Sequence, residues 1–95
     1  MYIFQIIGRA KTPDDAQRIC GIFEHSLTLM QSAGYARGFC AINREDKLSI
    51  LIQEEWYNLA GLRFWQQSEE YQRLRQEMEA LIEGVWESHT YQGHS

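Results

Sequence analysis

The chain has 95 residues, of which 44% are hydrophobic and 13% aromatic, and a formal net charge of −4. This composition excludes intrinsic disorder and suits one small domain over residues 1–95, which a partner subunit would help to stabilise. No block of Lys or Arg forms the basic stripe that phosphate backbones require, so no nucleic acid is expected as a partner.

The cysteines and the hydropathy pattern indicate a soluble, cytoplasmic protein. Cys20 and Cys40 form neither a C-x-x-C pair nor a zinc-type cluster with histidines, so no metal site is expected. Both cysteines fall in apolar patterns, which favours buried, reduced thiols. No apolar stretch reaches the roughly 18 residues of a membrane helix, and the N-terminus lacks the features of a signal peptide. We therefore expect no membrane contact.

The first half of the chain predicts a strand, a helix and a hairpin. Residues 2–7 alternate and are rich in β-branched and aromatic types, which is typical of a strand. Residues 12–15, Thr-Pro-Asp-Asp, are typical of a helix start, and the apolar stripe that follows ends near Ala33 and Gly34. Residues 35–43 and 48–56 then alternate as two strands, and the short polar turn between them predicts a hairpin.

The second half predicts a broken helix and a fourth strand. Asn58 caps one helical piece over residues 59–67, and Ser68 caps a second piece over residues 69–83. Gly84 ends the second piece, residues 85–92 form the fourth strand, and residues 93–95 are expected to fray. The order β-α-β-β-α-β predicts a ferredoxin-like α+β fold, an antiparallel four-stranded sheet with both helices on one face.

Large apolar residues lie on both faces of the predicted sheet. In the first strand Phe4 and Ile6 point to one face while Ile3 and Ile7 point to the other. Since helices cover only one face, an apolar second face predicts a homodimer formed by sheet-to-sheet packing. The alternative is a harmless scatter of exposed apolar side chains, which is common on protein surfaces.

Glu54 and Trp56 share one face at the end of the third strand. A carboxylate among apolar neighbours could have a raised pKa and act as a base on a bound substrate. The alternative, which we prefer from sequence alone, is that Glu54 is solvated at the strand end or paired with an arginine.

Three side chains around the helix break suggest a pocket for a small apolar or aromatic molecule. The indole of Trp65 could hold a flat ligand that the Tyr71 phenol and the Arg75 guanidinium orient. The alternative is that Trp65 and Tyr71 belong to the core while Arg75 lies at its edge with its charge in water.

His89 could also contact a ligand and titrate near neutral pH, although no histidine partner stands at a defined spacing. Phosphate loops and nucleophile elbows are absent from the sequence.

The E-x-W of Glu54 and Trp56, followed by the W-x-x-S-x-x-Y of Trp65, Ser68 and Tyr71, resembles the antibiotic biosynthesis monooxygenase family of dimeric α/β barrels. The resemblance extends over nearly the whole chain in its order of elements. It implies a ferredoxin-like protomer whose sheet packs on a second sheet. The activities it implies are cofactor-independent oxygenation of aromatic polyketides, oxidation of quinols and degradation of haem.

At two positions the sequence differs from branches of the family, and these differences reduce the list of expected activities. The haem-degrading branch has a haem-ligating His ten residues after the helix tryptophan, and Arg75 occupies that position here. Many quinol-type members have a His nine residues after the E-x-W tryptophan, where this chain has Trp65. We therefore expect a monooxygenase without a cofactor, in which Trp65 and Tyr71 position the aromatic ring and Arg75 stabilises its negative charge. A non-catalytic binding dimer, a structural dimerisation module and a haem-binding protein are the alternatives.

Overall fold

The computed structural model describes residues 1–94, and in it four antiparallel strands form one sheet in the order β2-β3-β1-β4. The elements are β1 (Tyr2–Arg9), α1 (Pro13–Gln31), β2 (Tyr35–Ile42), β3 (Ser49–Trp56), α2 (Leu59–Gln66), α3 (Glu69–Glu79) and β4 (Glu87–Gln92). This arrangement confirms the ferredoxin-like fold, the hairpin of β2 and β3, and the broken second helix.

Side-chain caps fix where each helix begins. The Thr12 hydroxyl accepts a hydrogen bond from the backbone N–H of Asp15 at 3.0 Å, at the start of α1. The side-chain Oδ1 of Asn58 accepts from the backbone N–H of Gly61 at 2.6 Å, and the Ser68 hydroxyl accepts from the backbone N–H of Tyr71 at 3.1 Å. These bonds satisfy N–H groups that a helix start leaves free. The cap at Ser68 therefore divides the helical segment into α2 and α3.

The predicted boundaries around α3 and β4 are wrong by several residues. Helix α3 ends at Glu79 instead of residue 83, and β4 begins at Glu87 instead of residue 85. The backbone after α3 pairs with the end of β1, since Lys11 donates to the Leu81 carbonyl at 3.0 Å and Glu83 donates to the Arg9 carbonyl at 2.7 Å. The N–H groups of Leu81 and Ile82 still donate to Met78 and Glu79 within a tight turn, at 3.0 and 3.2 Å, and the N–H of Glu83 is the first to leave the helical pattern. The fraying expected at residues 93–95 concerns Ser95, which lies outside the described residues.

The core lies between the sheet and the helices. Strand β1 contributes Phe4 and Ile6, which pair across the sheet with Glu54 and Ile52 of β3. Every second side chain of β3, beginning with Ile50, is buried on this face. The alternation follows from the two-residue period of a strand, so it also fixes which face Glu54 occupies.

The second sheet face, which we call the open face, carries both apolar and polar side chains. The side chains of Ile7, Phe39 and Tyr91 are 42%, 48% and 50% exposed. Beside them, the Gln5 amide donates to the Gln53 amide oxygen at 2.9 Å. Apolar residues on both faces of the sheet are therefore confirmed.

The prediction of two reduced thiols is wrong, because Cys20 of α1 and Cys40 of β2 form a disulfide. Cys40 pairs with Ile52 in the sheet, so its side chain points towards the helices and meets α1. The Cα atoms are 5.3 Å apart, within the range that a disulfide spans. An apolar sequence pattern favours a half-buried cysteine but does not reveal its partner.

Among residues 1–94, no helix combines the length and the apolar character that crossing a membrane requires.

Candidate functional site

Glu54 is a buried carboxyl group in the layer between the sheet and the helices. Its side chain is only 3% exposed, because its position on β3 points it into the core. The Trp56 indole Nε1–H donates a hydrogen bond of 2.9 Å to Glu54 Oε1 from the same strand face. Its other neighbours are mostly aliphatic or aromatic, and they include Ile6, Phe23 and Ile52.

Burial raises the pKa of Glu54 from its ordinary value of 4.5 to about 7. The indole hydrogen bond acts in the opposite direction, since it stabilises the carboxylate, but its effect is smaller. No lysine or arginine of residues 1–94 forms an ion pair with this carboxyl. The interpretation of Glu54 as a solvated or arginine-paired residue is therefore wrong, because strand β3 carries it into the core.

Two aromatic pairs surround Glu54. Trp65 and Tyr71 meet edge to face across the helix break, with ring centroids 5.8 Å apart. Tyr35 and Trp56 meet in the same way at 5.6 Å. All four side chains are buried. For Trp65 and Tyr71 this agrees with the alternative that they belong to the core. Such edge-to-face pairs hold the rings in defined orientations next to the carboxyl group.

Gly38 provides the space for this aromatic layer. It pairs with Glu54 across the β2–β3 ladder. A Cβ atom at residue 38 would lie 2.3 Å from the Gln53 carbonyl oxygen and 2.8 Å from the Tyr35 hydroxyl. A side chain there would therefore displace Tyr35 from its position near Glu54.

Tyr71 separates Glu54 from an open cleft on the outside. The space beside Glu54 has a volume of only about 10 Å³, and Tyr71 forms part of its wall. On its other side Tyr71 lines a cleft of about 180 Å³ with Arg75, Trp86 and Ser88. Burial and the negative charge of Glu54 raise the pKa of Tyr71 to about 12, so its phenol is neutral at physiological pH.

We call the outer opening, lined by Arg75, Glu79, Trp86 and Ser88, the Arg75 cleft. It lies between α3 and the segment that leads into β4, and it has a volume of about 410 Å³. Arg75 Nε donates to Glu79 Oε1 at 2.6 Å, one helical turn away. The guanidinium carbon also lies 5.8 Å from the Trp86 ring centroid, a distance typical of cation–π contacts.

The structure brings most of the candidate residues together, but not all of them. Trp65 and Tyr71 line one small internal cavity with Glu54, Trp56 lies directly against that carboxyl group, and Arg75 lies outside Tyr71. His89 is separate, since it pairs with Gln5 on the open face and contacts Glu87 and Tyr91. His89 therefore does not share a pocket with the other candidates.

Sequence reasoning did not identify Trp86 or Ser88. Trp86 follows the turn at Gly84, outside any regular element, so no periodicity marks it. The signal available in the sequence was the third tryptophan of the chain. In the structure the residue before it, Val85, is 93% exposed. An indole in such an exposed segment is a feature typical of ligand-binding surfaces.

The residues do not fit a haem group. The position where the haem-degrading branch has its histidine holds Arg75, and a guanidinium does not ligate iron. Within residues 1–94, His25, His89 and His94 are all exposed, and none of them lines the cavities beside Glu54 or Arg75. The same part of the chain contains no group of three metal-ligating side chains.

The arrangement supports proton transfer next to an aromatic surface. A carboxyl group with a pKa of about 7 exchanges its proton readily near neutral pH, as a general base must. Arg75, at the outer side of Tyr71, carries a permanent positive charge that favours anions. A base and a cation on either side of one phenol can therefore act on a substrate that ionises.

Solved structures of similar fold cover nearly the full chain. SnoaB, a cofactor-independent oxygenase from Streptomyces nogalater, has a TM-score of 0.79 at 12% identity, over 99% of this chain and 92% of that chain. A candidate antibiotic biosynthesis monooxygenase from Nitrosomonas europaea has a TM-score of 0.81 at 14% identity, over 98% of both chains. One from Deinococcus radiodurans has a TM-score of 0.80 at 15% identity, over 100% of this chain and 94% of that chain.

Sequence comparison alone finds no counterpart, since no family profile matches the chain and no curated protein is similar to it. Identities of 12–15% establish a shared fold and leave the reaction open. The order of elements and the E-x-W and W-x-x-S-x-x-Y motifs predict this fold. The chain has the fold of the antibiotic biosynthesis monooxygenases, and these structural neighbours are consistent with that family.

Proposed function

We propose that the protein is a cofactor-independent monooxygenase of a small aromatic or quinol-type substrate. The observation that supports this proposal most directly is Glu54, a buried carboxyl group with a pKa of about 7 beside Trp65 and Tyr71. SnoaB, which has the same fold, is described as a cofactor-independent oxygenase. Without a cofactor, the substrate itself must supply the electrons that reduce oxygen, so its ionisation is the step that the protein must promote.

In the proposed reaction, the Glu54 carboxylate takes a proton from an activated CH₂ group of the substrate. The resulting carbanion gives an electron to O₂, and a carbon–oxygen bond forms to give a peroxide anion. That anion regains a proton and loses water, which leaves a ketone. In total R₂CH₂ and O₂ become R₂C=O and H₂O, and the substrate is the only reductant. Arg75 favours the anionic species through its positive charge.

Access to Glu54 requires movement of the Tyr71 ring. The internal space of about 10 Å³ cannot hold an aromatic ring, whereas the clefts outside Tyr71 can. Rotation of the Tyr71 side chain out of its present position would join the outer and inner spaces. In this proposal Trp65 and Trp56 remain in place, the former against the substrate and the latter holding the Glu54 carboxylate.

Oxygen uptake with a panel of anthrones and hydroquinones tests the proposed function. With the anthrones, whose CH₂ group is activated, wild-type protein is expected to consume one O₂ for each ketone formed. Glu54→Gln is expected to lower kcat by about 10²- to 10⁴-fold, the usual contribution of a general base. Glu55→Gln, on the adjacent residue that faces away and pairs with Arg37 at 2.7 Å, is the matched control and should retain activity. Unchanged kcat in both Glu54→Gln and Trp65→Ala would show that this site is not catalytic.

A second candidate function is non-catalytic binding of a small apolar or aromatic molecule. It is favoured by the near closure of the space beside Glu54, which leaves only the outer clefts open. The two functions are separated by one comparison. Saturable binding of an anthrone without oxygen uptake supports the binding protein, and uptake that is lost in Glu54→Gln supports the enzyme.

We also propose a homodimer in which the open faces of two protomers pack together. Phe39→Glu places a charge on the edge strand β2 of that face, where the wild-type side chain is 48% exposed. Light scattering after size exclusion is expected to give a dimer mass for the wild type and a monomer mass for Phe39→Glu, because a buried unpaired charge is costly. Leu29→Asp on α1, 42% exposed but away from the sheet, should remain dimeric. A monomeric wild type at micromolar concentration would contradict the proposal.

A cytoplasmic location is part of the same proposal. It implies that Cys20 and Cys40 encounter a reducing environment, in which a disulfide is uncommon.

A further inference from the structure

We propose that the Arg75 cleft recognises an aromatic carboxylate, with its ring on the Trp86 indole and its carboxylate on the Arg75 guanidinium. This inference rests on the proposed function in that it takes the cleft as the place where the substrate first binds. It adds the chemical class of the ligand, an anionic aromatic acid, which the oxygenation reaction itself does not require.

The guanidinium of Arg75 is held in one orientation by its neighbours. Glu79 accepts the hydrogen bond from Nε at 2.6 Å, and the indole of Trp86 lies 5.8 Å from the guanidinium carbon. Among the described residues, no hydrogen bond engages the two terminal nitrogens of Arg75. These two terminal NH₂ groups can each donate one hydrogen bond to a carboxylate, so that the two bonds run parallel.

The charges in the cleft favour an anion in spite of Glu79. Since Glu79 occupies the Nε side, a carboxylate on the terminal nitrogens lies closer to the positive guanidinium than to the negative Glu79. The attraction therefore exceeds the repulsion. The side chain of Arg75 is 44% exposed, so salt should weaken this attraction.

The cleft also has room and an apolar surface for an aromatic ring. Its volume of about 410 Å³ accommodates a two-ring molecule, and the smaller space towards Tyr71 continues from the same residues. Trp86 is half-buried, so one part of its indole is free for contact, and Ser88 adds a hydroxyl group at the inner end. A ligand bound here lies next to Tyr71, on the path to Glu54.

The test is an NMR titration of ¹⁵N-labelled protein with 2-naphthoate and with its neutral isostere, 2-naphthamide. Neither probe is a substrate for oxygenation, so binding is measured independently of turnover. Of the three indole N–H signals, the one assigned to Trp86 by a Trp86→Leu variant should shift. The dissociation constant for 2-naphthoate should be about 10- to 100-fold lower than for 2-naphthamide, as expected for a charge-assisted bidentate contact.

Arg75→Gln should abolish the preference for the acid, and Arg73→Gln, an exposed residue of the same helix that does not line the cleft, should retain it. The Arg75 variant is expected to fold, since its side chain lies at the surface, and its amide spectrum verifies this. Equal affinities for both probes, or an acid preference that survives Arg75→Gln, would overturn the inference. Acid-selective binding without any oxygen uptake would refute only the oxygenase, whereas oxygen uptake together with equal affinities for the two probes would refute only the aromatic-acid inference.

Discussion

Reduction of the Cys20–Cys40 disulfide is expected to lower the free energy of unfolding by about 3 kcal/mol, the usual value for a loop of this length. The cross-link closes a loop between residues 20 apart, and it connects α1 to the edge strand β2. In a domain of this size such a loss corresponds to a fall of about 10–20 °C in Tm. Thermal unfolding followed by circular dichroism, with and without a phosphine reductant, measures the difference.

The double variant Cys20→Ala, Cys40→Ala provides the control for this measurement. Its Tm should be insensitive to the reductant and close to that of reduced wild type, because both lack the constraint on the unfolded chain. If the reductant lowers the Tm of the double variant by as much as that of the wild type, the effect does not come from the disulfide. An unchanged wild-type Tm would show that the cross-link does not contribute to stability.

Glu54→Gln is expected to stabilise the protein above pH 7 and to have little effect near pH 4. Folding raises the pKa of Glu54 from 4.5 to about 7. Below pH 4.5 the carboxyl group is neutral in both the folded and the unfolded state. As the pH rises through this interval the unfolded chain releases its proton first, so the free energy of unfolding falls, by roughly 3 kcal/mol in total.

Glutamine mimics the protonated carboxyl group at every pH, so the variant avoids this loss. Urea unfolding at pH 4, 6 and 8 should give a stability difference between variant and wild type that grows with pH. Glu45→Gln, on the exposed turn between β2 and β3, is expected to change stability by less than about 0.5 kcal/mol at each pH. A difference that is constant over this range would contradict the raised pKa. Together with the loss of turnover predicted above, Glu54→Gln would be a more stable but less active protein, as often found at active sites.

Local sequence signals predicted the fold well where a side chain acts on its own backbone. Thr12, Asn58 and Ser68 each accept the capping hydrogen bond that their position predicts, and the resulting helix starts agree with the structure. The alternation of β1 and β3 predicted which side chains share a face of the sheet. These features depend on neighbours within a few residues, which a single sequence contains.

The errors concern interactions between distant residues. Cys20 and Cys40 are brought together by the packing of α1 on β2, and nothing in their spacing reveals it. Leu81 and Ile82 fit a helical stripe, but their backbone instead pairs with the end of β1. Glu54 resembles a solvated strand end, and its burial follows only from the placement of all three helices over the sheet. The sequence therefore singled out Glu54, Trp65, Tyr71 and Arg75, but it did not indicate Trp86 or Ser88 and it did not predict the burial of Glu54.

The wall of the Arg75 cleft and the support of Glu54 come from different elements, because α3 begins as a separate helix after Ser68. Helix α3 contributes only Tyr71 and Met78 to the buried core, and most of its other side chains face the outside or the Arg75 cleft. Glu54, by contrast, is held by β3 and by Trp56. Substitutions at residues 72, 73, 75, 76, 77 and 79 can therefore alter which molecules the cleft admits while leaving the Glu54 carboxyl group in place. If Glu54 is the base that we propose, a lineage or a directed-evolution library can explore new substrates through this short helix without rebuilding it.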